Sequence, residues 1–89
     1  MYSMQWNDIE QLSNLHAVER TQVADRFERA HLTPDCAEPY LAAGYSIHET
    51  IDLGTAQVPL DYALTWRERG ASTSAAVVAW GMHLHAVVA

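Results

Sequence analysis

Four successive stretches of the chain fall into one thirteen-residue frame: Leu32 to Gly44, Tyr45 to Gln57, Val58 to Gly70 and Ala71 to His83. The first and third agree best, sharing Asp35/Asp61, Ala37/Ala63, an aromatic at Tyr40/Trp66 and Gly44/Gly70. Self-similarity at a fixed period confines a chain to folds in which one local unit is stacked on copies of itself.

Each unit reads as a short helix followed by a tight turn. The second frame position carries hydroxyls at Thr33, Ser46 and Ser72, side chains that accept a bond from an unpaired backbone N–H of a first helical turn. Pro34 follows Thr33, and proline at the first helical position gives up an N–H that has no helical partner anyway. Ser46 and Glu49 are spaced as a capping box. The third unit has Pro59 at the cap position, with Asp61 still suited to the positive end of a helix dipole. Gly44 and Gly70 close their helices where a left-handed backbone is needed. Helices of about ten residues are marginal in isolation, so the units must stack. The stacking face is predicted to run through Ala37, Thr50, Ala63 and Ala76, each followed three places on by Tyr40, Leu53, Trp66 and Ala79.

Residues 1–31 read as a different, N-terminal helical pair. Asn7 with Glu10 predicts a short helix to about Asn14, with Ile9, Leu12 and Leu15 as its apolar stripe and Trp6 just outside its start. A second helix, about His16 to His31, places Val23, Phe27 and Ala30 on one face. Its other faces carry Arg26 and Arg29 close to Glu19, Asp25 and Glu28, an arrangement that forms exposed ion pairs worth under about 1 kcal/mol each.

Eighty-nine residues make one small domain with room for a single modest core. The lone Cys36 excludes an intramolecular disulfide and is expected to be a buried, alanine-like residue. The first residues lack a basic stretch and an apolar run, so no signal peptide is read and the expected location is cytoplasmic. All five basic residues are arginine, as in proteins of high-GC genomes, and eleven acids bring the net charge to −6. That balance disfavours nucleic acid, whose phosphates are bound by Lys and Arg. From Ala71 onward there is no formal charge. The stretch is too interrupted by Ser, Thr, His and Gly to cross a membrane, which takes roughly 20 predominantly apolar residues. A helix apolar on nearly every side belongs at the centre of a core or at an interface between copies. Homodimerisation through residues 73–88, with Val77, Trp80, Leu84 and Val88 as contacts, is the expected outcome.

Chemical constellations are sparse. His83 and His85 stand two apart, which points them in different directions on a helix, and His16, His31 and His48 are scattered. No phosphate-binding glycine loop and no nucleophile–base pair occurs. The expectation is therefore no catalytic residue, no metal and no cofactor. In a helix-turn-helix reading, the helix entering DNA would be 47–56 or 73–85. The first carries His48, Glu49 and Asp52, and the second has no Arg, Lys, Asn or Gln for base edges. A DNA-binding regulator is the alternative reading, with Arg20, Arg26 and Arg29 available to phosphate.

The run Val58-x-x-Asp61-x-Ala63-x-x-Trp66-x-x-x-Gly70, a small residue and then Ser72 resembles short helical repeats in proteins of actinobacteria and their bacteriophages, over about residues 32–80. Leu41 to Ser46, together with Asp61-Tyr62-Ala63-Leu64-x-Trp66, is similar to ubiquitin-associated-type three-helix modules. The second resemblance implies an exposed apolar patch at Gly44, Tyr45 and Leu64. Together these readings predict an all-α array of five to six short helices, acting as a non-enzymatic module that docks on a host protein or on itself. The residues expected to meet a partner are Gly44, Tyr45, Leu64, Arg26 and Arg29.

Overall fold

The computed structural model describes residues 3–88, and their side chains through residue 86. One 3-10 turn, Trp6–Asp8, precedes six helices: α1 (Glu10–Ser13), α2 (Ala17–Arg29), α3 (Pro34–Ala42), α4 (Ile47–Thr55), α5 (Leu60–Glu68) and α6 (Thr73–Val88). No strand occurs among the described residues. The all-α expectation holds.

The thirteen-residue period is written into the backbone. Left-handed residues recur at His31 (φ 62°), Gly44 (φ 95°), Gln57 (φ 57°) and Gly70 (φ 83°), each thirteen after the last. Every one closes the same hydrogen-bonded turn. The N–H of the residue after it donates to a carbonyl five positions back: Leu32 to Phe27 (2.9 Å), Tyr45 to Tyr40 (3.1 Å), Val58 to Leu53 (3.0 Å) and Ala71 to Trp66 (3.0 Å). The left-handed residue's own N–H donates three positions back, as Gly44 does to Leu41 at 3.0 Å. This is the Schellman closure, in which those two flanking residues also pack together and satisfy the helix's last carbonyls. His31 and Gln57 adopt it although a Cβ makes that backbone region costly. The turn at His31 shows that the end of α2 obeys the same frame as the helices after it.

The helix starts follow the sequence closely. Thr33 Oγ1 accepts from the Cys36 N–H at 3.3 Å, and Ser72 Oγ from that of Ala75 at 3.2 Å. Ser46 and Glu49 form the reciprocal box, at 3.1 Å and 3.0 Å. The first helix departs from expectation. Asp8, not Glu10, reaches back, accepting from the Gln5 N–H at 2.7 Å. The chain therefore begins to coil at Trp6, with Gln5 as the cap residue and Asn7 inside the turn.

One frame column faces inward throughout: Ala37 (0% exposed), Thr50 (0%), Ala63 (2%) and Ala76 (3%). Their small side chains let successive helices approach closely. Cys36 stands one place before that column and is exposed, which corrects its expected burial. Two apolar clusters result. The first joins Ile9, Leu12, Val23, Phe27, Leu32 and Leu41, with Trp6 stacked on Phe27 at 5.0 Å between ring centroids. The second is built around Tyr45, Leu53, Val58, Ala63 and Ala76. Gly54, inside α4, sits where a Cβ would come within 2.8 Å of the Leu32 side chain, so its lack of one lets α4 lie against the turn before α3.

Helix α3 packs on α4, α4 on α6 and α5 on α6. At His83, thirteen residues after Gly70, no left-handed turn is made and α6 continues to Val88. Its later part leaves the body: residues 81–86 are all exposed. The molecule is accordingly drawn out to 44 × 28 × 23 Å, with a radius of gyration of 13.9 Å, against about 12 Å for a compact chain of this length.

Candidate functional site

The patch expected at Gly44, Tyr45 and Leu64 does not form. Gly44 is exposed and Leu64 half-buried, but Tyr45 is only 6% exposed. The reason is the turn itself. Tyr45 follows the left-handed Gly44, and in this closure that side chain folds back onto the helix end, here against Tyr40 with ring centroids 6.4 Å apart. Arg67 closes the space above it. Its guanidinium lies 4.5 Å from the centre of the Tyr45 ring and donates to the Ala43 carbonyl at 2.9 Å, so one side chain of α5 both covers Tyr45 and satisfies the end of α3. Burial pushes the Tyr45 hydroxyl above its ordinary ionisation range, against the pull of Arg67.

Glu49 occupies the same cleft, a space of about 80 Å³ between α4, α5 and the start of α6. Its carboxylate accepts from the Thr73 hydroxyl at 2.5 Å and from the Ser46 N–H at 3.0 Å, which ties the N-termini of α4 and α6 together. The Thr73 bond is the main cause holding its carboxyl below the usual carboxylate range, followed by the backbone bond from Ser46. A lowered folded-state value stabilises the fold above the ordinary ionisation near 4.5, and that contribution is lost as pH falls through the lowered value. Glu49→Gln is expected to cost about 1 kcal/mol at neutral pH. It should also flatten the fall in melting temperature between roughly pH 5 and pH 3, read by circular dichroism across that range. An unchanged acid limb would remove Glu49 from the α4–α6 tie.

Arg26 and Arg29 of α2 are outward, while Arg20 is half-buried. Arg29 pairs with Asp25 at 2.9 Å, both well exposed, while Arg26 is also exposed. Pairs of this kind add little to stability, and Asp25 offsets the charge that Arg29 would offer a phosphate.

Tyr62, Trp66, Trp80 and His83 form a ring cluster across α5 and α6. Tyr62 meets Trp80 edge-on at 5.0 Å, and His83 stacks on Trp80 at 5.3 Å. These contacts hold the root of the projecting segment of α6. Val77 and Trp80 are half-buried in this packing, whereas Leu84 is 42% exposed and Val88 lies beyond the described side chains. The most exposed large apolar residues of α6 are Val78 (61%) and Met82 (69%). They are four apart, on one helical face that the sequence reading did not single out, although that spacing was its signal.

Next to that face, α4 and α6 enclose an open groove of about 620 Å³, lined by Ile51, Asp52, Thr55, Ala56, Ser74, Val77 and Val78. Its walls are mainly apolar. Asp52 at its rim faces His48 at 3.5 Å. The α4 wall, with Ile51 and Ala56, was also missed, because only the packing of α4 against α6 brings those residues together.

Among the described residues no three His, Cys, Asp or Glu side chains come together as a metal site, and no helix is long and apolar enough to cross a membrane. No family model, curated protein or solved structure matches the chain, so neither resemblance becomes a family assignment.

Proposed function

We propose that this chain is a non-enzymatic protein–protein interaction module whose docking element is α6. The observation that carries the reading is a helix without formal charge that runs past the frame's next turn and exposes Val78, Met82 and Leu84. Val78 and Met82, four apart, share one face as an exposed apolar ridge, the kind of surface through which a small domain meets a partner. The lysine-free composition and the likeness to repeats of actinobacteria and their phages support a partner drawn from such a host, or a second copy of the chain. A DNA-binding role has less support, because the uncharged α6 offers phosphate nothing and Arg29 is engaged by Asp25.

The test is the double variant Val78→Glu, Met82→Glu. Both residues are exposed, so the helical circular dichroism is expected to stay at the parent level. Every association of the parent, whether self-association by light scattering or capture of a protein from an actinobacterial lysate, should then be lost. A parent that associates with nothing, or a variant that associates as well as the parent, would overturn the reading.

A further inference from the structure

We infer that the groove between α4 and α6 receives the α6 helix of a second copy of this chain, laid antiparallel so that each copy fills the groove of the other. The inference rests on α6 being the docking element and adds the identity of what it docks on.

Charge selects the occupant. The net charge is −6, and every Asp, Glu and Arg lies before Ala71. Two copies therefore repel one another over most of their surface, and α6 is the face on which they meet without opposing acids. The groove rim offers Asp52, and the approaching helix carries no acid, with His83 and His85 as its titratable groups among the described residues. A membrane surface is a poorer fit, since helices that lie on membranes carry Lys or Arg beside their apolar face. Helix α6 has neither.

Shape selects the arrangement. One wall of the groove is α6 itself, through Ser74, Val77 and Val78, and the exposed ridge continues along the same helix to Met82. Because Glu49 at the start of α4 bonds Thr73 at the start of α6, Ser74 lies at the Ile51–Asp52 end of the groove. A two-fold axis near Val78 then sets Met82 of each copy beside Ser74 of the other, over the α4 wall at Ile51 and Asp52. Ridge and groove are then used once by each copy and the assembly closes at two, as an isologous contact must. The small residues Ser74 and Ala75 allow close helix approach, and a Cβ at Gly81 would meet nothing within 4 Å, so that side of α6 is open.

The experiment uses the full chain with Cys36→Ser, which removes its single exposed thiol. Asp52→Cys and Met82→Cys are introduced into that background separately. The two proteins are mixed and oxidised, and each is also oxidised alone. Light scattering follows the Cys36→Ser parent up to roughly 100 μM, where a dimer of micromolar dissociation constant predominates. The expected result is a mass twice that of the chain and a disulfide between positions 52 and 82 of different copies. Mixing Met82→Cys with a Gln22→Cys control on α2 should give none. A dimer whose Met82→Cys variant links efficiently to itself and not to position 52 would overturn the antiparallel seat in the groove, while leaving α6 as the docking element. A monomer at the highest concentration would overturn the second copy as occupant. The interaction reading would then be judged separately, by whether Val78→Glu, Met82→Glu abolishes capture of another protein.

Discussion

Tyr45→Ala is expected to lower the melting temperature by about 15–30 °C, because deleting a buried aromatic side chain costs roughly 3–5 kcal/mol and a domain of this size loses some 4–8 °C per kcal/mol. The ring is 6% exposed, meets Tyr40 and lies beneath the Arg67 guanidinium. Removing it leaves a void between the end of α3 and α5, and Arg67 loses the surface it covers. Tyr45→Phe separates packing from the hydroxyl. That hydroxyl is buried and meets no hydrogen-bond partner among the described residues, so its removal should change stability by no more than about 1 kcal/mol. The readout is thermal unfolding followed by circular dichroism. Were Tyr45→Ala to melt with the parent, the residue would be an exposed turn side chain and the packing at the α3–α4 joint would be wrong.

A loss of comparable size is expected from Phe27→Ala in the other cluster. Phe27 is 0% exposed and supports Trp6, whose ring stacks on it with planes 13° apart and whose indole N–H donates to Glu28 at 3.1 Å. Its carbonyl also accepts the bond that closes the turn at His31. Truncation forfeits roughly 3–5 kcal/mol of burial and cavity terms, and an aromatic pair adds about 0.5–1.5 kcal/mol. Against a total of about 5–15 kcal/mol for a small domain, much of the molecule's stability would go. Urea unfolding would give the value, and tryptophan emission should shift to longer wavelength as Trp6 loses its cover. Phe27→Leu, which keeps most of the volume, should lose far less. A midpoint for Phe27→Ala close to the parent's would mean that α1, α2 and the first turn do not share a core.

The architecture was legible where sequence and backbone obey the same local rule. The inward column Ala37, Thr50, Ala63 and Ala76 is readable because its members are small or near-isosteric and equally spaced. Ser46 with Glu49 is readable because a capping box is a short-range motif. The turns at His31 and Gln57 were not, since neither residue advertises a left-handed backbone as glycine does. That gap made residues before Leu32 look unrelated to the frame. Tyr45 misled for a different reason. The likeness to three-helix modules implied an exposed patch there, while the closure at Gly44 returns the next side chain to the helix it has just left. On the functional side the uncharged α6 stood out in sequence, but the groove beside it depends on how α4 is placed, and no local pattern encodes that placement.

The uniform joint between helices has a consequence for how such a chain can change in length. Every unit from α2 to α5 ends in the same hydrogen-bonded closure, thirteen residues after the previous one. Adding or deleting one whole unit keeps each remaining helix in step with its own closure and its own inward side chain. A change by any other number strands a helix without one or the other. The molecule's length is in effect quantised, and gains or losses that preserve the fold come in steps of thirteen.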